Sequence, residues 1–153
     1  MKACFVDTNF FIRYLTNDDP VKADRVERLL DDAAAGKMKL VTTEMVIAEV
    51  VWVLESGHSL KNVSIAPLVR GILATPGLDV INGALVARAI EIYESTNIDF
   101  IDGYSAAAME KQGITEPYSF NRKHISRLKV TDRKERKSLT LNSSCASPAI
   151  LLI

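Results

Sequence analysis

The sequence predicts an α/β fold built around a central parallel sheet. Short apolar runs alternate along the chain with amphipathic segments of roughly ten or more residues, and this alternation is typical of helices packed on a parallel sheet. The first run, residues 3–6, is continuously apolar, which is typical of a strand buried on both faces. At 153 residues the chain suits one domain with a single core.

The individual elements are predicted from these runs and from the capping and turn residues around them. Strands are expected at residues 3–6, 39–41, 78–81 and 118–120. Helices are expected at residues 9–15, 20–35, 62–73, 82–95 and 101–112, and in a segment around Glu49 that ends at Gly57. In the helix from residue 20, which Asp19 and Pro20 open as N-cap and first residue, the predicted apolar stripe is Val21, Val26, Leu29 and Leu30.

Composition and charge limit the classes of protein that need to be considered. The two cysteines, Cys4 and Cys145, fit neither a zinc spacing nor a disulfide framework, so we expect a reducing cytoplasm. No apolar stretch reaches about 18 residues and no signal peptide is recognisable, so we expect no membrane association. Net charge is zero, but residues 111–137 hold nine basic residues against three acidic ones. That block fits either contact with a polyanion or an ordinary solvated surface.

One carboxylate stands in unusually apolar surroundings. Nine of the ten residues in MVIAEVVWVL, residues 45–54, are apolar, and the tenth is Glu49. A buried, ionised carboxylate needs a partner. Three explanations fit: a narrow solvated stripe on the helix, an ion pair with Arg or Lys, or a bound metal ion.

Other oxygen-bearing side chains are predicted near the same place. Asp7 and Asn121 each follow a predicted strand, while Asp99 and Asp102 lie three residues apart at the start of a helix. The simpler interpretations are a helix cap for Asp7 and helix-dipole stabilisation for the pair. Functional groups gather where parallel strands end, and carboxylates drawn together there repel unless a cation lies between them. Oxygen ligands without His or Cys favour Mg²⁺ or Mn²⁺ over zinc.

Four segments together resemble a family of nucleases. FVDTNFFIRYL, IAEVVWVL, DFIDGYSAAA and SFNRKH, in this order and spacing, are similar to the motifs of PIN-domain ribonucleases, in particular VapC-type toxins of toxin–antitoxin pairs. The resemblance runs from residue 1 to about residue 128. It implies a three-layer α/β/α PIN-like domain over residues 1–130 that hydrolyses RNA phosphodiesters with Mg²⁺ or Mn²⁺.

The resemblance also implies roles for particular residues. By position, Asp7, Glu49 and Asp102 match the core acidic residues and are the expected catalytic set and metal ligands. Glu49 is expected either to bind the metal directly or to orient the attacking water. Asp99 matches an additional metal ligand. Asn121 lies where the family usually has Asp, and because an amide brings no charge, a second metal is expected to bind less tightly.

Neighbouring residues have predicted supporting roles. Thr8 and Asn9 are expected to brace Asp7 through hydrogen bonds. Arg122 and Lys123, next to His124, are expected beside the site, where they either hold the RNA backbone or form solvated surface. The resemblance further implies an antitoxin partner and a homodimer. Residues 131–153 have no counterpart in the family and are predicted to be a C-terminal extension.

Two other classes of protein are alternatives to the nuclease. A phosphate-accepting receiver domain would need a second acidic residue beside Asp7 and a lysine ending a late strand, and the chain offers neither. A catalytically weak or inactive PIN-fold module for RNA or protein interaction remains open, because Asn121 departs from the acidic pattern.

Overall fold

The computed structural model describes residues 1–117, which form three strands and six helices. In chain order these are β1 (Lys2–Phe5), α1 (Thr8–Thr16), α2 (Pro20–Ala34), β2 (Met38–Thr42), α3 (Glu44–Ser56), α4 (Asn62–Leu73), β3 (Leu78–Val80), α5 (Gly83–Thr96) and α6 (Phe100–Gln112). The strands are parallel, β2 lies between β1 and β3, and two helices connect each neighbouring pair. This topology confirms the predicted α/β fold with a parallel sheet.

The predicted elements up to residue 112 all exist, and their predicted ends differ from the observed ends by at most one residue. Differences of this size are usual, because helix and strand ends fray. The predicted strand at residues 118–120 and the boundary at residue 130 lie outside the described part of the chain. None of the helices within residues 1–117 has the length and apolar character needed to cross a membrane.

Four of the helices begin at a residue whose side chain caps the first turn. In each case an oxygen of the cap accepts the backbone N–H three residues further on, and the capping residues are Asp7, Asp19, Thr43 and Asp99. Such caps satisfy one of the otherwise unpaired N–H groups at a helix start. The chain therefore encodes these starts locally, whatever else the side chains do.

The core lies where α3, α4 and α5 pack against each other beneath the sheet. Its fully buried side chains include Leu40, Ile47, Val50, Ile65, Val69, Val86, Ile90 and Tyr93. The Tyr93 hydroxyl is not left unsatisfied, because it donates to Glu55 Oε1 at 2.7 Å, and burial raises the pKa of Tyr93. The apolar helix α3 thus buries one side while Glu49 is on its exposed side.

The prediction that β1 is buried on both faces is wrong for the described part of the chain. Phe5 is 61% exposed and Ala3 is also exposed, whereas Val6, directly after the strand, is buried. Within residues 1–117, β1 lies at the edge of the sheet and pairs with β2 alone. An edge strand is less covered by flanking helices than a central one.

The apolar stripe predicted for α2 is also partly wrong. Val21 is 64% exposed and Leu29 is 37% exposed, while Ala23, Val26 and Ala33 are buried. The buried positions follow a spacing of three and then seven residues, as one helical face requires. Two alanines on that face let α2 approach the sheet closely, so small residues rather than the largest ones mark its inner side.

Two glycines allow close approaches that set the position of helices. Gly77 has a positive φ of 76°, and a Cβ there would lie 2.4 Å from the carbonyl oxygen of Ala33 at the end of α2. A Cβ on Gly103 would lie 2.9 Å from the carbonyl oxygen of Ala89, so α6 crosses α5 at very short range. Gly103 thereby fixes the first turn of α6, which contains Asp102.

Candidate functional site

The edge at which the three strands end brings distant parts of the chain together. Asp7 follows β1 and caps α1, while Thr43 and Glu44 follow β2. The buried Thr42 hydroxyl donates to the carbonyl oxygen of Val6 at 2.9 Å, and Val6 N–H donates to Val41 O at 2.9 Å. These two bonds tie the backbone just before Asp7 to the end of β2.

Asp7 is exposed and caps α1. Its Oδ1 accepts the backbone N–H of Phe10 at 3.1 Å. The cap interpretation is therefore confirmed, and it leaves the other oxygen available for a cation, since a carboxylate can accept several bonds at once. Asp7 also lines a cleft of about 470 Å³ between α1 and α2.

Glu49 is exposed and bonds to the first residue of α1. Thr8 Oγ1 donates to Glu49 Oε2 at 2.5 Å, joining residues 41 apart in the sequence. Thr8 is 8% exposed, so this hydroxyl holds the carboxylate from a fixed, buried position. Of the three explanations for Glu49, an ion pair within residues 1–117 is excluded.

The role predicted for Thr8 needs a correction. Thr8 was expected to brace Asp7, but it donates to Glu49 instead, and a hydroxyl has only one proton to donate. Asn9 lines the same cleft as Asp7, and its side chain makes no hydrogen bond to another described residue. The Thr8 hydroxyl therefore supports Glu49. Asp7 is held by the N–H of Phe10, and the backbone just before it is held by the bond from the Thr42 hydroxyl to the carbonyl oxygen of Val6.

Asp99 and Asp102 lie together at the start of α6. Asp99 caps the helix and its Oδ1 accepts the backbone N–H of Asp102 at 2.9 Å. Asp99 is exposed and Asp102 half-buried. The helix N-terminus stabilises both negative charges, so the local interpretation is confirmed for both and is compatible with a further role for either carboxylate.

The charges at this edge are balanced differently from those elsewhere. Asp7, Glu49 and Asp99 make no ion pair with any Lys, Arg or His of residues 1–117, although seven ion pairs are present in that part of the chain. Hard oxygen donors without a neutralising base are the chemistry that Mg²⁺ and Mn²⁺ prefer. The donor set therefore fits such an ion.

The described carboxylates are not drawn into one cluster. Among residues 1–117, no three side chains of Asp, Glu, His or Cys lie close enough together to hold a single ion as they stand. The structure joins Glu49 to the start of α1 and Asp99 to the first turn of α6. Direct convergence of Asp7, Glu49 and Asp102 on one point stays a prediction.

A second polar group at the edge was missed from the sequence. Asn82, after β3, has a positive φ of 55° and its Nδ2 donates to Glu44 Oε1 at 2.8 Å. Burial and the nearby charge of Glu44 raise the pKa of Tyr104 on α6. Glu44 directly follows the Thr43 cap after a strand, and the rule that singled out Asp7 would have found it too.

Several predicted site residues lie outside the described residues. These are Asn121, Arg122, Lys123 and His124, and their roles stay predictions.

Comparison with known proteins agrees with the fold. The profile of the PIN domain matches residues 4–130, and the chain therefore belongs to the PIN domain family. A VapC ribonuclease of Aquifex aeolicus (strain VF5) is 27% identical over 118 residues, which cover 77% of this chain and 87% of that protein. No solved structure gives a significant match. The predicted family and its α/β/α fold class are thus confirmed.

Proposed function

We propose that this chain is a ribonuclease that depends on Mg²⁺ or Mn²⁺, the toxin of a VapBC-type toxin–antitoxin pair. The proposal rests above all on one observation: Asp7, Glu49 and Asp99 accept hydrogen bonds from uncharged donors and make no ion pair with a basic residue of residues 1–117. Membership of the PIN domain family and similarity to a VapC ribonuclease support the same function.

Each carboxylate has a distinct part in the proposed reaction. Asp7 and Asp102 hold the ion, assisted by Asp99 and by Asn121. When bound, such an ion polarises a scissile phosphate and lowers the pKa of an attacking water. Glu49 orients that water and accepts its proton on Oε1, because Oε2 already accepts the Thr8 hydroxyl. A base held in this way stays in the geometry that proton transfer requires.

Titration with Mn²⁺ tests the ion. Thermal unfolding of the wild-type chain is expected to shift upward with added Mn²⁺, since an ion that binds only the folded state stabilises it. Asp7→Asn should abolish the shift while the helix cap survives, because Asn caps as well as Asp. Asp79→Asn is the matched control: Asp79 pairs with Lys39 and lines a cavity with Met1, near the start of β1. Equal shifts in all three proteins would contradict the proposal.

RNA cleavage tests the chemistry separately from the ion. Purified chain and Mg²⁺ should cut total RNA at discrete sites, and the mapped ends identify the substrate. Binding of Mn²⁺ without cleavage of any RNA would favour the inactive interaction module instead, to which Asn121 already points. Asn121 brings no negative charge, whereas an acidic residue is usual there.

The partners follow from the same assignment. A cognate antitoxin is proposed to cover the acidic region, and the chain is proposed to form a homodimer in the cytoplasm. Co-expression with the antitoxin should relieve growth arrest caused by the chain alone. Light scattering after size-exclusion chromatography should give about twice the mass of one chain, and a monomer at micromolar concentration would contradict the dimer.

A further inference from the structure

The cleft between α1 and α2 combines positive charge with one of the candidate metal ligands. Its lining residues are Asp7, Asn9, Phe10, Arg13, Lys22, Arg25 and Val26, around a volume of about 470 Å³. Lys22 and Arg25 are three residues apart on α2 and so point to the same side, while Arg13 faces them from α1. Three cations thus surround a space that Asp7 borders.

The three basic side chains of the cleft differ in their ion pairs. Arg13 Nη1 lies 2.5 Å from Asp18 Oδ2, and Lys22 Nζ lies 2.8 Å from Asp19 Oδ2. Arg25 makes no ion pair with any other residue of the described range. Exposed ion pairs contribute little to stability, so an incoming anion can exchange for Asp18 or Asp19 at small cost. Arg25 is available without any exchange.

We infer that this cleft binds backbone phosphates of single-stranded RNA next to the scissile bond, with Arg25 as the main contact. The inference deepens the proposed function and rests on it for the identity of the ligand. Phe10 and Val26 give the cleft an apolar part, which suits a ribose or base better than a free inorganic anion. These residues are far in sequence from Arg122 and Lys123, so they are additional candidate contacts for RNA.

Asp7 borders the cleft but makes no ion pair with its three cations. A phosphate placed directly on an ionised carboxylate would be repelled. In the cleft, Arg13, Lys22 and Arg25 attract the phosphate of one nucleotide while Asp7 faces the neighbouring one. The cleft thereby positions the strand without neutralising the acidic ligands.

Binding to a fluorescent 12-mer of oligouridylate in EDTA tests the inference without catalysis. Arg25→Gln should lower the slope of log K against log salt by about 0.7, the value for one phosphate contact on a single strand, and weaken binding severalfold at low salt. Arg28→Gln is the matched control, because it removes the same charge one turn further along α2 at an exposed residue outside the cleft. Equal slopes for the two variants would overturn the inference, since the effect would then come from the net charge of the protein and not from a contact in the cleft.

Two further outcomes separate this inference from the proposed function. If the wild-type chain binds the oligonucleotide with the expected slopes but cuts no RNA, the cleft assignment stands and the ribonuclease assignment fails. Competition by poly-glutamate that is lost in Arg25→Gln but not in Arg28→Gln would overturn RNA as the occupant in favour of an acidic peptide. The Mn²⁺-induced shift in unfolding temperature should be the same in Arg25→Gln as in the wild type, and its loss would contradict the inference, because the substitution would then have disturbed the ion site as well.

Discussion

Carboxylates on the outer helices and carboxylates at the end of the sheet are held by different kinds of donor. On α4, α5 and α6, Arg70 bonds Glu94 at 2.9 Å, and Arg88 bonds Glu110 at 2.7 Å and Glu91 at 2.8 Å. The hydrogen bond from Arg88 lowers the pKa of Glu110.

At the end of the sheet the donors are uncharged. Glu49 accepts a hydroxyl, and Asp7 and Asp99 accept backbone N–H groups. A guanidinium fixes a carboxylate and cancels its charge, whereas a hydroxyl or amide fixes it and leaves the charge in place. At this edge the carboxylates are therefore held in place without being neutralised, which is what a cation-binding region requires.

Glu49→Gln should have the largest effect, because it removes the charge and the proposed base while keeping the shape. We expect RNA cleavage to slow by about 100- to 10,000-fold, the usual contribution of a general base, with little change in unfolding temperature. Single-turnover cleavage of end-labelled RNA measures it. Glu27→Gln, an exposed glutamate on α2, is the control, and a Glu49→Gln protein as active as this control would show that Glu49 is only a surface residue.

Thr8→Val should come next, since it removes the donor and keeps the shape of the side chain. Loss of a residue that orients a ligand or base costs roughly 10- to 100-fold in activity or metal affinity. The measurements are the cleavage rate and the Mn²⁺ midpoint. Thr75→Val is the control because the Thr75 hydroxyl donates to the carbonyl oxygen of Gly71 in the preceding helix α4. Cleavage unchanged in Thr8→Val would mean that the 2.5 Å bond to Glu49 has no functional part.

Gly103→Ala should disturb the edge through packing. The new Cβ would lie 2.9 Å from the Ala89 carbonyl oxygen, and overpacking of this kind costs about 1–3 kcal/mol of unfolding free energy. Urea denaturation measures the loss. Gly71→Ala in α4 is the control, since a Cβ there meets nothing within 4 Å and a helical Gly→Ala gains up to about 1 kcal/mol. Similar changes in both variants would contradict the close crossing of α5 and α6.

Arg88→Met should have the smallest effect, because this ion pair is exposed. We expect a loss of about 0.5 kcal/mol at neutral pH and low salt. The pKa of Glu110 is lowered in the folded chain, so the stabilisation is present above the ordinary Glu pKa of about 4.3 and fades as pH falls through the lowered value. Urea titrations between neutral and acidic pH, with Arg28→Met as control, measure this. A difference in unfolding free energy between Arg88→Met and the wild type that grows as the pH falls would contradict this role of the ion pair.

Local features of the fold could be predicted from the sequence, whereas contacts between elements could not. Asp19 and Pro20 mark the start of α2 because a cap and a proline act within one turn. The Thr8 bond to Glu49 spans 41 residues and depends on how α3 is placed on the sheet. The spacing of apolar residues predicts which face of an element is buried, but it does not predict which residue of another element lies against that face. The sequence therefore predicts a hydrogen bond from Thr8 to its neighbour Asp7 and not to Glu49.

The candidate site shows the same division. The end-of-strand rule found Asp7, and the apolar surroundings singled out Glu49. Glu44 also follows a strand, but its bond to Asn82 depends on the positive φ of Asn82. The spacing of apolar residues along the chain does not predict a positive φ, although asparagine is among the residues that adopt one most readily.

Trp52 gives the molecule a built-in optical reporter. It is the single tryptophan of the chain, it is 64% exposed, and it follows Glu49 by three residues on α3, so the indole and the carboxylate share one helical face. Any macromolecule that covers this face should move the emission of the indole to shorter wavelength, and an ion alone should not. Intrinsic fluorescence can therefore follow assembly on α3 in real time, without a label.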